Sequence, residues 1–194
     1  MVKKAKFNRQ EVINKATNLF WKKGFHATSM RNLQDEIDMR PGSIYATFGS
    51  KEGLFKEVLQ NYTDIGLAEI KQCQDEHDSP IEALKALVKS QVITTQDNGP
   101  NGVCMLTKTL NELTDDSQEL VDITKSHVIE IATEFVCLLE KAKALGELDE
   151  NKEAQALASH LQIQITGLRT YAKIMDDKNK LDEMINSMFK HYPF

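Results

Sequence analysis

Helix breakers are scarce in this chain, and their scarcity sets the fold class. Only four Pro and nine Gly fall among 194 residues, so long helices are expected rather than many strands. Where breakers do occur, they sit beside capping residues. Asn8 reads as an N-cap with Glu11 three positions on, and Phe7 is placed to staple onto Val12. Val12, Ile13, Ala16, Leu19 and Phe20 then follow one helical face, and Gly24 ends the helix after Lys22 and Lys23. Thr28 or Ser29 caps a short second helix through Ile37, and Asp38-Met39-Arg40 is a three-residue turn. Pro41, at the first helical position, opens a third helix over Gly42 to Ala46, ended by Phe48-Gly49. Ser50 caps a fourth, with Leu54, Phe55, Val58, Leu59 and Tyr62 as its apolar set.

The same reading continues downstream. Ser79-Pro80-Ile81-Glu82 is a capping box with Pro at the first helical position, ahead of Leu84, Leu87, Val88 and Val92. Residues 97–102 form a loop, a short helix runs from Val103 to Leu113, and a long one from about Ser117 to Leu145 ends at Gly146. Asn151 is expected to cap the next helix, which carries Leu157, Leu161, Ile165 and Leu168. The last runs from about Asn179 to His191 with Leu181, Met184, Ile185, Met188 and Phe189. The expectation is an all-α chain of about nine helices. Its first three form a helix-turn-helix, two short helices braced by one before them, and the rest form a bundle.

Several function classes are disfavoured. GxSxG, HExxH, GxGxxG and P-loop strings are absent, and no His has a Glu three residues before it. No catalytic set, metal site or cofactor is therefore expected, which argues against an enzyme. Cys73, Cys104 and Cys137 are an odd number at spacings that suit neither zinc nor a disulfide framework. The longest apolar run is five residues, Phe135 to Leu139, too short for a membrane span. The opening MVKKAKFNRQ lacks the apolar stretch of a signal peptide, so a soluble, cytoplasmic protein is expected.

The net charge of −5 conceals an asymmetry: residues 1–60 carry +5 and residues 61–194 carry −10. A basic head on an acidic body suits a polyanionic partner for the head, with an unevenly charged solvated surface as the plainer alternative.

The string Gly24-Phe25-His26-Ala27-Thr28-Ser29-Met30, followed by Gly42-Ser43-Ile44-Tyr45-Ala46-Thr47-Phe48-Gly49-Ser50-Lys51-Glu52-Gly53-Leu54-Phe55, resembles the N-terminal signature of the tetracycline-repressor-like (TetR) family of bacterial regulators. The chain departs from that signature in its turn, where Ile37-Asp38-Met39-Arg40 replaces a usual Ala-Gly-Val-Ser. Asp38 then has to take the left-handed conformation that Gly prefers, and Arg40 exchanges a capping hydroxyl for a cation. Ala46-Thr47 stand where many members have an aromatic residue and a His.

The resemblance implies a DNA-binding domain over 6–66, with the helix-turn-helix at about 29–48, and an effector-sensing and dimerisation domain over 67–194. It implies that the third helix enters the major groove of a palindromic operator, with Arg40, Pro41, Gly42 and Ser43 beside base edges. Thr28, Tyr45, Thr47 and Lys51 would then bind phosphates, which set register. The plainer readings are a core aromatic for Tyr45 and an exposed cation facing Glu52 and Glu57 for Lys51. Lys3, Lys4 and Lys6 read as a solvated tail or a minor-groove arm. The last two helices would pack against those of a second subunit.

Sensing requires a cavity coupled to the spacing of two DNA heads. Its candidates are Met105, Leu106, His127, Ile131, Phe135, His160 and Gln164, each with core packing as the plainer role. Cys104 follows Asn101-Gly102 at the start of a helix, where backbone N–H groups favour a thiolate, with a small core hydrophobe as its alternative. Cys137 reads as inert core and Cys73 as a half-exposed thiol. The leading expectation is a homodimeric repressor released by a small molecule, or by an electrophile or oxidant. A helix-turn-helix used for protein interaction and a ligand-responsive activator are the alternatives.

Overall fold

The computed structural model describes residues 8–94, 102–175, 177–190 and 194. Among the described residues there are nine α-helices and no strand. They are α1 (Arg9–Lys23), α2 (Met30–Ile37), α3 (Pro41–Phe48), α4 (Lys51–Glu76), α5 (Pro80–Lys89), α6 (Met105–Glu112), α7 (Gln118–Ala144), α8 (Ala154–Tyr171) and α9 (Lys178–Met188). A π-helical turn, Ser90–Thr94, follows α5, and a 3-10 turn, Asp115–Ser117, precedes α7.

Most ends follow the expected chemistry. The Asn8 side chain accepts from Gln10 N and Glu11 N, and Ser79 Oγ accepts from Glu82 N. Gly24, Gly49 and Gly146 close their helices with positive φ. The Asn151 cap is corrected: its amide and side chain both donate to Asp149 Oδ1, and α8 starts three residues later, behind Glu153. At α9 the unforeseen cap is Asp177, whose carboxylate accepts from Lys180 N. The Phe7 staple, the Lys3, Lys4 and Lys6 arm, residues 97–101 and His191 lie outside the described residues.

The chain forms two compact units. Of the described residues, one comprises 8–64 together with 105–127, and the other those within 65–104 and 128–194. The first unit therefore recruits α6 and the start of α7, which the sequence reading placed beyond residue 66.

In the first unit Phe20, Phe25 and Phe55 pack as a triad, with Phe55 4.8 Å from each of the other two ring centroids. Ile13, Leu33, Ile37, Ile44, Leu54 and Leu59 are buried around them, each contributing about 1.5–3 kcal/mol of transfer free energy. A polar thread crosses from α1 to α4. Gln10 Nε2 donates to Asn61 Oδ1 at 2.7 Å, Asn61 Nδ2 donates to Thr17 Oγ1 at 3.0 Å, and Thr17 Oγ1 donates to Ile13 O.

The second unit is a bundle whose core includes Leu84, Leu87, Phe135, Leu139, Leu161, Leu181 and Ile185. Helix α9 packs on α5, where Lys89 pairs with Asp182 at 2.6 Å. Glu147 Oε2 accepts from Ser79 Oγ and Ile81 N, setting a carboxylate on the N-terminus of α5. Cys137 corrects the sequence reading. It lies in the apolar run yet is exposed, because 100° per residue turns it away from the face of Phe135, Leu138 and Leu139.

Candidate nucleic-acid interface

The candidate surface is built by α2, its turn and α3. Ser29 caps α2 reciprocally: Ser29 Oγ accepts from Asn32 N and Asn32 Oδ1 accepts from Ser29 N, both at 3.1 Å. The helix ends at Asp38, at φ 52° and ψ 44°, the left-handed conformation the turn requires of it. Met39 is buried, which fixes the turn, and Arg40 then carries the chain into Pro41 with no side-chain cap.

An eight-residue helix such as α3 is marginal alone and is held by packing. Ile44 and Phe48 point inward, and the tip Arg40-Pro41-Gly42-Ser43 is fully on the surface. Tyr45 is 49% exposed, which removes its core-aromatic alternative. Thr47 is half-buried. A Cβ placed on Gly42 would meet nothing within 4 Å, so the fold itself does not require glycine there. Gly53 is the opposite case: its Cβ would lie 2.0 Å from Phe48 O, so glycine lets α4 start against the end of α3.

Three side chains lock this surface to its support. Arg9 lies over the Phe48 ring at 4.7 Å and pairs with Glu57. Lys51 Nζ lies over the Phe25 ring at 4.3 Å, half-buried rather than extended. Burial lowers the Lys51 pKa, and the nearby charges of Glu52 and Glu112 oppose that shift. Thr28 departs from expectation: it is 0% exposed and its Oγ1 donates to Gly24 O at 2.6 Å. Its hydroxyl holds the turn before α2 instead of facing an external phosphate.

Residues of α6 that the sequence reading passed over complete the support. Glu112 Oε2 accepts from Phe25 N at 3.0 Å and Oε1 from His26 N at 2.6 Å. Lys108 Nζ donates to Trp21 O and Lys22 O, both at 3.0 Å, at the end of α1. Only their spacing of four residues on one helix face signals these two in the sequence; the partners lie 86–87 positions away.

The effector candidates are dispersed. Met105 and His127 are buried in the first unit. Phe135 belongs to the core of the second unit and Ile131, half-buried, packs against it; His160 and Gln164, also half-buried, face each other at 3.3 Å across one turn of α8. Cys104, half-buried, is the residue before α6, and all three cysteines are free. None of these residues lines the open groove of about 420 Å³ formed in the second unit by Gln74, His77, Pro80, Ala83, Leu138 and Lys141, among others. Sequence reading also passed over Glu69, half-buried beside Arg169 and hydrogen-bonded to Gln91. Burial raises its pKa, against the opposing pull of Arg169 and Gln91.

Comparison with known proteins bears on these arrangements. Residues 12–58 match the family model for bacterial regulatory proteins of the tetR family, and residues 80–188 match that of the tetracyclin repressor-like C-terminal domain. The HTH-type transcriptional repressor ComR of Escherichia coli (strain K12) is 28% identical over 193 residues, covering 96% of this chain and 90% of ComR. The repressor BdcR of the same organism is 36% identical over 105 residues, 52% of this chain and 51% of BdcR. Among solved structures, a cysteine mutant of the TetR family regulator CifR complexed with 26-bp double-strand operator DNA superposes with a TM-score of 0.87 at 26% identity, covering 98% and 100% of the two chains. A TetR family regulator from Agrobacterium tumefaciens shares the fold, with a TM-score of 0.81 at 20% identity over 93% of this chain and 95% of that one.

Proposed function

This chain belongs to the tetracycline-repressor family of bacterial transcriptional regulators, and from that premise we propose that it is a cytoplasmic homodimeric repressor that binds a palindromic operator through α3. The observation that carries the reading is the tip Arg40-Pro41-Gly42-Ser43, exposed on a helix whose other face is anchored by Ile44 and Phe48. Arg40 and Ser43 read base edges there, and the bare Gly42 admits close approach. Tyr45, Thr47 and Lys51 take the flanking phosphates. The domain bounds 6–66 and 67–194 divide DNA contact from sensing and dimerisation, with α6 and the start of α7 joining the first unit as its support. That CifR is complexed with operator DNA supports the same assignment for a chain of this likeness.

Dimerisation is assigned to α8 and α9. Ile163, Gly167, Tyr171 and Ile174 follow one line along and just past α8, with Ile163 68% and Ile174 79% exposed. Such a line is a liability in a monomer and a natural seam for a two-fold partner. Release from DNA is assigned to a small molecule, an electrophile or an oxidant acting within residues 67–194. Turnover forms no part of this reading.

The test is selection of duplexes from a randomised pool by the full-length protein, followed by titration of the enriched duplex. The expected result is an inverted repeat bound with steep salt dependence, weakened by Arg40→Ala and Tyr45→Ala at unchanged helicity. No enriched repeat, or mutant affinities equal to wild type, would favour a helix-turn-helix used for protein interaction.

A further inference from the structure

We propose that Lys108 and Glu112 of α6 are positioning residues for DNA recognition, setting operator affinity through the turn 24–28 without touching DNA. The inference rests on the reading that α2 and α3 face the operator.

The geometry is a two-ended grip on one corner of the chain. At the end of α1, the Lys108 ammonium holds two C-terminal carbonyls, Trp21 O and Lys22 O. One turn further along α6, the Glu112 carboxylate takes both amides that follow Gly24, at Phe25 and His26. Each charge meets the backbone pole that suits it, and hydrogen bonds to ionised groups are the strong class. From within the corner the Thr28 hydroxyl holds Gly24 O, while the Phe25 and His26 amides take their partner from α6. Gly24 sits at φ +93°, and a Cβ there would lie 2.4 Å from Glu112 Oε2, so the turn is shaped around the carboxylate.

What the grip holds in place leads directly to the surface. Phe25 packs on Phe20 and Phe55, and its ring carries Lys51 Nζ, which also feels the Glu112 charge. Gly24 O accepts the Thr28 hydroxyl, and Thr28 precedes Ser29, the cap that starts α2. A shift of the two amides therefore reaches the cap of α2 and the lysine assigned to a phosphate within a few bonds. Residues that position a binding constellation are effective when they sit on rigid elements and fix backbone directly. The head that reads DNA thus includes a helix from the C-terminal half of the sequence.

Two features make the test decisive. Glu112 is an acid, so if it acted only through charge, removing it would tighten binding to DNA. Loss of a positioning contact does the reverse. Full-length wild type, Glu112→Ala, Glu112→Gln and Lys108→Met are titrated with the duplex enriched from the randomised pool, while amide hydrogen exchange is followed at residues 25 and 26. The expected result is faster exchange at Phe25 and His26 and operator affinity lower by about tenfold in Glu112→Ala, the size that loss of one charged hydrogen bond implies. Glu112→Gln, which keeps one acceptor, falls between it and wild type, and Lys108→Met weakens binding as well. If Glu112→Ala does not fold, Glu112→Gln and Lys108→Met carry the comparison. Exchange that stays slow overturns the proposal, as does an operator affinity unchanged or tighter in a folded variant. Arg40→Ala in the same assay separates the two levels: if it too leaves affinity unchanged, the DNA-facing surface itself is misassigned.

Discussion

Gly24→Ala is the substitution whose consequence can be worked most fully from the structure. At φ 93° and ψ 169° the residue lies in a region essentially reserved for glycine, where any other side chain costs about 1–3 kcal/mol. The added methyl would also meet Glu112 Oε2 at 2.4 Å and Cδ at 2.9 Å, so the carboxylate has to leave. Its departure strips the Phe25 amide, in a residue 5% exposed, of its partner, at about 1–3 kcal/mol. The total is about 2–6 kcal/mol, or roughly 4–24 °C in melting temperature for a chain of this length. Urea unfolding at fixed protomer concentration measures it, since dimer stability depends on concentration. The lone Trp21, edge-on to Tyr62 at 5.3 Å, reports from the end of α1 itself. The same substitution made in a Glu112→Ala background should cost only the backbone strain, because nothing remains to be displaced. A loss below about 1 kcal/mol, or an equal loss in both backgrounds, would refute the reasoning.

Four further outcomes are expected. Asp38→Gly relieves the left-handed φ and should raise the urea midpoint by the equivalent of about 0.5–1 kcal/mol after the extra chain entropy of glycine; a lower midpoint would count against the strain. Ile163→Asp should shift sedimentation from dimer to monomer and abolish operator binding, and a dimer that persists would move the seam elsewhere. N-ethylmaleimide should release DNA from wild type but not from Cys104→Ser; equal behaviour of the two makes Cys104 a packing residue and leaves a reversible ligand as the signal. Glu69 has its pKa raised by burial, so between the ordinary carboxylate value and the raised one the folded state binds more protons than the unfolded, and stability falls as pH rises. Glu69→Gln should remove that part of the pH dependence, and parallel stability curves for the two proteins would exclude it.

What the sequence made legible was local. Asn8, Ser79 and Pro80 announce their helices because a cap and its partner lie within three residues of each other. Asp38 is readable as a left-handed residue because the turn leaves it no other option. Misreadings arise where the deciding partner is distant or where two local choices compete. Asn151 has a capping side chain, but Asp149 takes it into a turn first. Cys137 belongs to an apolar run in one dimension and to an exposed face in three. Thr28 carries a hydroxyl at a family position, and only the structure places that hydroxyl on Gly24 O. Lys108 and Glu112 look like any solvated helical pair until the corner at Gly24 is folded beside them.

The interrupted first unit has a consequence for how the protein is made. Residues 8–64 leave the ribosome before α6 and the start of α7, with residues 65–104 between them. At about 5–20 residues per second, the stretch from 64 to 127 takes roughly 3–12 s to synthesise. Through that interval the nascent head carries its triad of phenylalanines while the Phe25 and His26 amides and the end of α1 await their partners. A DNA-binding surface that closes only after two thirds of the chain exists gains its full support late in synthesis, with the rest of α7, α8 and α9 still to be made.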